Sequence, residues 1–320
     1  MTDSTGGVPG AGVVRLDIAE RNAGQRIDNF LLTLLKGVPR SRIYRLLRKG
    51  EVRINNKRVR PEYRLCVGDQ LRLPPVRTAA AAAPARISPA LRADLTGRVL
   101  ARGQGWMVVD KPAGIAVHGG SGQALGMVEA ARQIWPGVDL DLVHRLDRET
   151  SGCLLLATGR AALSALQAQM RAGSMGKRYQ VLVVGRWPRD LREVNAPLQK
   201  NALSSGERIV RVHAAGKPAV TRFRVERYLP GYTLLEAWLD TGRTHQIRVH
   251  CQLMGHPVAG DTKYGDGDAN RGLRRLGLKR QFLHAAALEF EAPDGSSVQC
   301  RAPLPNDLEA LLGQLSAGEA

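Results

Sequence analysis

The chain has 320 residues, of which 43% are hydrophobic, and its 47 lysines and arginines outnumber its 29 aspartates and glutamates to give a net charge of +18. The longest apolar runs, such as 153–157, have the length of a strand and fall short of the roughly 18 residues that span a bilayer, so we expect no membrane partner, and the first residues show no secretory signal. The four cysteines lie far apart without a C-x-x-C pair, which disfavours a disulfide framework or a zinc ribbon and fits a reducing cytoplasm.

Basic charge is concentrated in the first part of the chain. Between Lys36 and Arg64 there are eleven basic residues and two acidic ones, which favours a polyanionic partner such as nucleic acid. Residues 1–13, by contrast, are rich in Gly, Ser and Thr and have little to bury. We therefore expect this first segment to be disordered.

Two helices and a small sheet are predicted over residues 14–75. The first helix is indicated by apolar residues at helical spacing, namely Ile27, Phe30, Leu31, Leu34 and Leu35. Ser41 is a good N-cap for a second helix, which should end at Gly50. The sheet that follows is predicted to have an Asn55-Asn56 turn between two short strands, the second of them basic.

The second helix and the hairpin carry basic side chains away from their apolar residues: Arg42, Arg45, Arg48, Lys49, Arg53, Lys57 and Arg58. A charge run of this kind is usually a solvated surface. The segment GQRIDNFLLTLLKGVPRSRIYRLLRKGEVRINNKRV, however, resembles the S4 RNA-binding domain in its order of helix, basic helix, glycine and basic hairpin. The resemblance implies that these side chains bind RNA.

The rest of the chain predicts a second, larger domain. Residues 76–97, with alanines between prolines, indicate an exposed linker, and residues 313–320 are expected to fray. Residues 98–312 alternate strand-like and helix-like stretches without a regular repeat, which favours an α+β fold with a mixed, largely antiparallel sheet. The predicted strands are Trp106–Asp110, Gly152–Ala157, Tyr179–Val184, Ile209–His213, Ala219–Val225 and Tyr232–Leu239, and the predicted helices are Ala124–Ile134, Ala161–Arg171 and Thr244–Met254.

The densest polar cluster is DLVHRLDRETSGCLLLATG, residues 141–159. A charged loop that enters a buried strand is costly unless it faces a cleft or is fully paired. Thr150 and Gly152 suit a tight turn before the strand, so Asp147 would be a rigidly positioned carboxylate. Composition alone also allows a purely structural ion pair between Asp147 and a neighbouring arginine.

Four segments resemble the large-subunit rRNA type of pseudouridine synthase: HRLDRETSG (144–152), VVDKPAGIAVHGG (108–120), GKRYQVLV (176–183) and TGRTHQIRVHCQLMGHPVAGDTKYG (241–265). The segments SGERIVRV and FLHAAALEF match further, so the resemblance covers nearly the whole chain. It implies an isomerase that converts uridine to pseudouridine. The reaction oxidises nothing and transfers no external group, so we expect no cofactor.

The resemblance also implies roles for particular residues. Asp147 is expected to be the nucleophile, Arg248 the cation that pairs with it, and Tyr179 the residue that stacks on the target base. Four further residues are expected to bind the substrate: His144, Arg145, Thr150 and His245. Arg145 in particular would fill the space left by the flipped base.

His245, His250, Cys251 and His256 are candidate metal ligands by residue type. Their spacing matches no common zinc pattern, and structural or RNA-facing roles are expected instead.

The implied partner is 23S rRNA or the pre-ribosomal large-subunit particle, and the family suggests a monomer. A non-catalytic rRNA-binding assembly factor stays open at this point, as does an RNA methyltransferase, because S4 modules also precede such domains. The methyltransferase would need a glycine-rich cofactor loop that opens a helix, which we do not find in the sequence. A pure binder would have no use for Asp147 beside a matching arginine.

Overall fold

The computed structural model describes residues 12–35, 37–76, 86–119, 125–202 and 208–317. The chain divides into two compact units, Met1–Ala85 and Arg86–Ala320, and each has its own hydrophobic core. Residues 1–11 of the predicted disordered segment and residues 77–85 of the predicted linker lie outside the described residues.

The first unit packs two helices on one antiparallel sheet. Its elements are β1 (Val14–Asp17), a 3-10 turn (Glu20–Asn22), α1 (Ile27–Leu34), α2 (Arg40–Lys49), β2 (Arg53–Ile54), β3 (Lys57–Arg58) and β4 (Gln70–Leu73). The strand order is β1-β4-β2-β3. The apolar residues that predicted the helices form the core, with Ile27, Leu31 and Ile43 fully buried.

Helix α2 ends where the sequence predicted but begins differently. Gly50 closes it in the left-handed conformation with φ 68°, which glycine adopts without a Cβ clash. The N-cap is Pro39, so the prediction of Ser41 as the cap is wrong. The fixed φ of proline suits the start of a helix, because its missing N–H is not needed there. The predicted turn is confirmed, with φ of 49° at Asn55 and 63° at Asn56.

The second unit is built on a ten-stranded sheet. Its strands are β5 (Val99–Gly103), β6 (Trp106–Lys111), β7 (Leu140–Leu142), β8 (Ser151–Thr158), β9 (Gly176–Val184), β10 (Glu193–Asn195), β13 (Val220–Leu229), β14 (Tyr232–Leu239), β15 (Leu283–Glu291) and β16 (Ser297–Arg301), while β11 (Leu198–Ala202) and β12 (Arg208–Val212) pair separately. The main order is β10-β13-β14-β9-β15-β8-β6-β5. Strands β8 and β15 are parallel, whereas the other pairs are antiparallel. The predicted α+β class with a mixed sheet is confirmed.

Helices cover both faces of this sheet because its strands alternate apolar side chains toward each side. The helices are α3 (Pro89–Gly97), α4 (Met127–Ile134), α5 (Arg160–Ala172), α6 (Gln246–Leu253), α7 (Gly267–Arg275) and α8 (Asn306–Ala317). Helices α3, α4 and α6 share one core with Val181 and Leu235. Helix α5 packs with Leu155 in a second core, and α7 and α8 pack with Leu182 and Leu234.

Several elements differ from the sequence-based expectations. Helix α3 occupies the end of the predicted linker (76–97), where Ser88 caps it and Leu95 is buried. Helix α8 runs to Ala317 and so includes most of the tail expected to fray. It is ordered there because Leu315 is buried in one of the hydrophobic cores of the second unit. Helix α6 begins at Gln246 and not at the predicted Thr244.

No helix among the described residues is long and apolar enough to cross a bilayer.

Candidate active site

The loop between β7 and β8 carries Asp147, and its backbone is held from three sides. The Asp147 carbonyl accepts a hydrogen bond from the Thr150 N–H (3.1 Å). The Arg148 carbonyl accepts from Lys111 Nζ (3.0 Å), and the Glu149 carbonyl accepts from Arg280 Nη1 (3.3 Å). Three consecutive carbonyls are thereby fixed, so the backbone from which the Asp147 side chain extends has a defined position.

Gly152 allows this loop to enter the sheet tightly, as the sequence predicted. Its φ is 107°, and a Cβ at this position would lie 2.3 Å from the Ala285 carbonyl oxygen on β15. A side chain there would be strained and would push apart the one parallel strand pair among the described strands.

Arg248 on α6 holds the Asp147 carboxylate. Its Nη1 donates to Asp147 Oδ2 at 2.9 Å, and its Nε and Nη2 bind Asp261 bidentately at 2.6 and 2.9 Å. Burial opposes the charge of the guanidinium, but Asp261 and then Asp147 raise the pKa of Arg248 above its ordinary value. The site therefore contains one cation between two carboxylates, of which Asp261 is fully enclosed and Asp147 keeps 18% of its side chain exposed.

His245 sits beside the same carboxylate in a left-handed conformation, with φ 55°. Its Nε2 lies 3.8 Å from Asp147 Oδ1, and its Nδ1 lies 2.8 Å from the hydroxyl of Tyr264. Burial lowers the pKa of His245 to about 4, so the imidazole is neutral near pH 7. Positive φ is rare for a residue with a side chain and is enriched at functional sites.

Tyr179 projects from β9 into the same cavity and is buried. Burial, and then the charge of Asp147, raise the pKa of Tyr179 above its ordinary value. Its hydroxyl therefore stays protonated at neutral pH.

The cavity measures about 400 Å³ and brings together the predicted site residues of the second unit: His144, Arg145, Asp147, Thr150, Tyr179, His245 and Arg248. Arg145 is exposed. His144 Nε2 accepts from the Leu155 N–H (3.0 Å), and burial lowers the pKa of His144 to about 4. Thr150 is fixed by Gln281, which donates to its hydroxyl at 2.8 Å. A volume in this range suits one small ligand or nucleotide.

Sequence reasoning missed the supporting residues of the site. Asp261 and Tyr264 both lie within the segment GDTKYG that carries the family resemblance, yet no spacing rule connects them to Arg248 or His245. Lys111 lies within the segment VVDKPAGIAVHGG and Arg280 lies outside the quoted segments, but no local pattern connects either of them to the loop that carries Asp147.

Two of the histidines that could have been metal ligands have structural partners. His250 bonds the Thr221 hydroxyl (2.8 Å) and the Ala196 carbonyl (3.0 Å), and His256 Nδ1 lies 2.9 Å from the Val184 carbonyl oxygen. Across the described residues no cluster of His, Cys, Asp or Glu could hold a metal ion.

The basic residues predicted to bind RNA lie in the first unit. Arg53 is half-buried and donates to the Gly50 carbonyl (3.1 Å). Arg42, Arg45, Arg48, Lys49, Lys57 and Arg58 are exposed. Within the described part of the chain, none of these exposed cations is ion-paired.

Comparison with known proteins gives consistent relatives. Residues 105–253 match the RNA pseudouridylate synthase family, and residues 25–71 match the S4 domain family. The chain is 51% identical to the ribosomal large subunit pseudouridine synthase C of Escherichia coli, over 93% of this chain and 95% of the relative. It is 48% identical to the protein of the same description from Haemophilus influenzae, over 98% and 99%. The solved structure of human RNA pseudouridylate synthase domain containing 4 is similar, with a TM-score of 0.58 and 26% identity over 71% of this chain and 95% of that one.

Proposed function

The chain belongs to the RNA pseudouridylate synthase family, and on this premise we propose that it isomerises specific uridines of large-subunit (23S) ribosomal RNA to pseudouridine. The relatives described as large-subunit enzymes match this chain over nearly their whole length. The observation that carries the proposal is the Asp147–Arg248 pair in a nucleotide-sized cavity that Tyr179 also lines.

Asp147 acts as the nucleophile in this proposal. The isomerisation breaks the N1–C1′ bond, forms a C5–C1′ bond, removes the proton from C5 and returns one to N1, so atoms and electrons balance without a cofactor. Arg248 occupies Oδ2, and no donor among the described residues makes a hydrogen bond to Oδ1. Oδ1 is thus free to attack, much as a glycosidase carboxylate does.

Tyr179 stacks on the uracil ring and takes part in proton transfer at C5. Tyr179 is buried on β9 and lines the cavity that also holds Asp147. Since the target uridine must leave its stack to reach this cavity, at a cost of roughly a few kcal/mol, the exposed Arg145 fills the vacated space. His144, Thr150 and His245 line the remaining wall.

The RNA partner is 23S rRNA or the pre-ribosomal large-subunit particle, which the first unit grips through its exposed cations. We infer that the enzyme acts as a monomer, which is supported by a cavity lined by described residues of a single chain. An rRNA substrate also supports a cytoplasmic location.

Tritium release tests the assignment. With 23S rRNA labelled at uridine C5, the native protein is expected to release tritium, and Asp147→Asn is expected to release it at least about a thousandfold more slowly, in line with the loss of a covalent nucleophile. Full release by the Asn variant would remove Asp147 from the mechanism. No release by the native protein would favour the alternative of a non-catalytic assembly factor.

A further inference from the structure

Lys177 is a buried cation on the wall of the active-site cavity. Its relative exposure is 6%, and it lines the cavity together with Asp147 and Tyr179. Its one hydrogen-bond partner among the described residues is the sulfur of Met170, 3.8 Å from Nζ. A thioether is a weak acceptor, so the ammonium group is poorly satisfied in the free enzyme.

The carboxylate that acts on Lys177 is occupied elsewhere. Asp240 is the acid whose charge favours protonated Lys177, but its Oδ2 is ion-paired to Arg222 Nη2 at 2.9 Å. Burial is the larger influence, and the pKa of Lys177 is lowered. A buried ammonium group without an anion destabilises a fold, so its position next to a substrate cavity requires a reason outside packing.

Lys177 and Tyr179 are two residues apart on β9. Side chains at this spacing project from the same face of a strand, and their Cα atoms are about 6.5–7 Å apart. A uracil ring stacked on Tyr179 would therefore have one edge within reach of the flexible Lys177 side chain.

We propose that Lys177 binds the uracil ring of the target nucleotide and stabilises the negative charge that develops on it when the glycosidic bond breaks. This inference rests on the proposed uridine isomerisation. The N1–C1′ electron pair leaves with the base and is delocalised onto its carbonyl oxygens, and the Nζ ammonium donates a hydrogen bond to one of them. No proton is transferred, and the charge is returned when C5 bonds to C1′.

The first test is Lys177→Met, which keeps the length of the side chain and removes the charge. Single-turnover conversion of saturating 23S rRNA is expected to slow on the order of 100-fold, as for the loss of one donor to a developing oxyanion, while the dissociation constant for RNA changes less than threefold. The matched control is Lys279→Met, which removes the same charge from an exposed position and should leave the rate unchanged.

The melting temperature distinguishes a role of Lys177 in the reaction from a role in holding the fold together. Because no carboxylate among the described residues forms an ion pair with Lys177 and burial lowers its pKa, Lys177→Met should keep or raise the melting temperature while it slows the reaction. A lower melting temperature together with the slower rate would overturn the inference. So would a normal rate, or a weaker RNA affinity with an unchanged saturated rate, which would assign Lys177 to a phosphate.

A second experiment changes the target base from uracil to 5-fluorouracil. A fluorine at C5 makes uracil a better leaving group, so the breaking of the glycosidic bond depends less on stabilisation by Lys177. The rate decrease caused by Lys177→Met should therefore be smaller on RNA that contains 5-fluorouridine. Nuclease digestion of this RNA measures the loss of 5-fluorouridine with time. An equal defect on both RNAs would overturn the charge-stabilising role. If the native protein converted neither RNA, the proposed function itself would fail, which is a distinct outcome.

Discussion

At the scale of single residues, the guanidinium of Arg248 binds two carboxylates that have different roles. Asp261 binds it through two nitrogens and also accepts the backbone N–H groups of Lys263 and Tyr264. Asp147 binds one nitrogen through Oδ2, and its Oδ1 accepts no hydrogen bond from the residues that the structure describes. Asp261 therefore positions the cation, and the cation positions Asp147.

This division predicts different losses of stability for two similar substitutions. Asp147→Asn should abolish activity but change the free energy of unfolding by no more than about 1 kcal/mol, because Arg248 keeps Asp261. Asp261→Asn should cost about 3–5 kcal/mol, because it breaks a buried pair. All four tryptophans (Trp106, Trp135, Trp187 and Trp238) lie in the second unit, so urea unfolding followed by tryptophan fluorescence measures both. Equal losses of stability in the two variants would contradict the division.

At the scale of elements, the catalytic loop is held by segments far from it in sequence. Lys111 at the end of β6 donates to three carbonyls, those of Pro112, Ile115 and Arg148. Arg280, just before β15, joins the loop to Asp307 on α8 through a bidentate pair (2.7 and 3.0 Å). The loop is rigid because the sheet brings β6, β8 and β15 side by side.

Helix α2 is the element through which the first unit is proposed to grip RNA, and it predicts a change of affinity without a change of chemistry. Replacing both Arg45 and Lys49 with Gln should raise the dissociation constant for rRNA and reduce the salt slope by roughly one to two, since each phosphate contact contributes about 0.7–0.9. Filter binding at several salt concentrations measures this, and turnover at saturating RNA should be retained. A large loss of saturated turnover would place these two residues in the catalytic assembly instead.

At the scale of the whole molecule, buried histidines make the second unit sensitive to acid. Burial lowers the pKa of His144, His245 and His284 to about 4 in each case. In the unfolded chain histidine titrates near 6.5, so the unfolded state binds more protons between pH 6.5 and 4. Stability is complete above pH 6.5 and falls through this window.

Urea unfolding between pH 7 and 4.5, followed by tryptophan fluorescence, checks this expectation. Each such histidine lowers the free energy of unfolding by up to about 1.4 kcal/mol per pH unit below 6.5. Asp110 and Asp141, whose pKa values are raised by burial, oppose part of the loss as pH falls. The variant His284→Asn should show a shallower dependence than the native chain, and identical slopes would contradict the role of this histidine.

The sequence by itself determined the features that depend on neighbouring residues. Helix α2, its Gly50 end, the Asn55-Asn56 turn and the strand after Asp147 follow from apolar periodicity and from backbone conformations that few residue types adopt. The family resemblance added the site residues, because the motif letters stand in this chain unchanged. Short or weakly apolar elements such as α3 and α7 were not predicted, since their few buried side chains leave little periodic signal.

Only the tertiary structure decided how distant residues combine. Asp147 and Arg248 are 101 positions apart, and their meeting depends on the order of strands in the sheet. The roles of Asp261, Tyr264 and the poorly satisfied amine of Lys177 depend on the residues that surround them in the folded chain. Burial, charge compensation and hydrogen bonding depend on which segments of the chain come into contact. Local sequence patterns do not show which distant segments will do so.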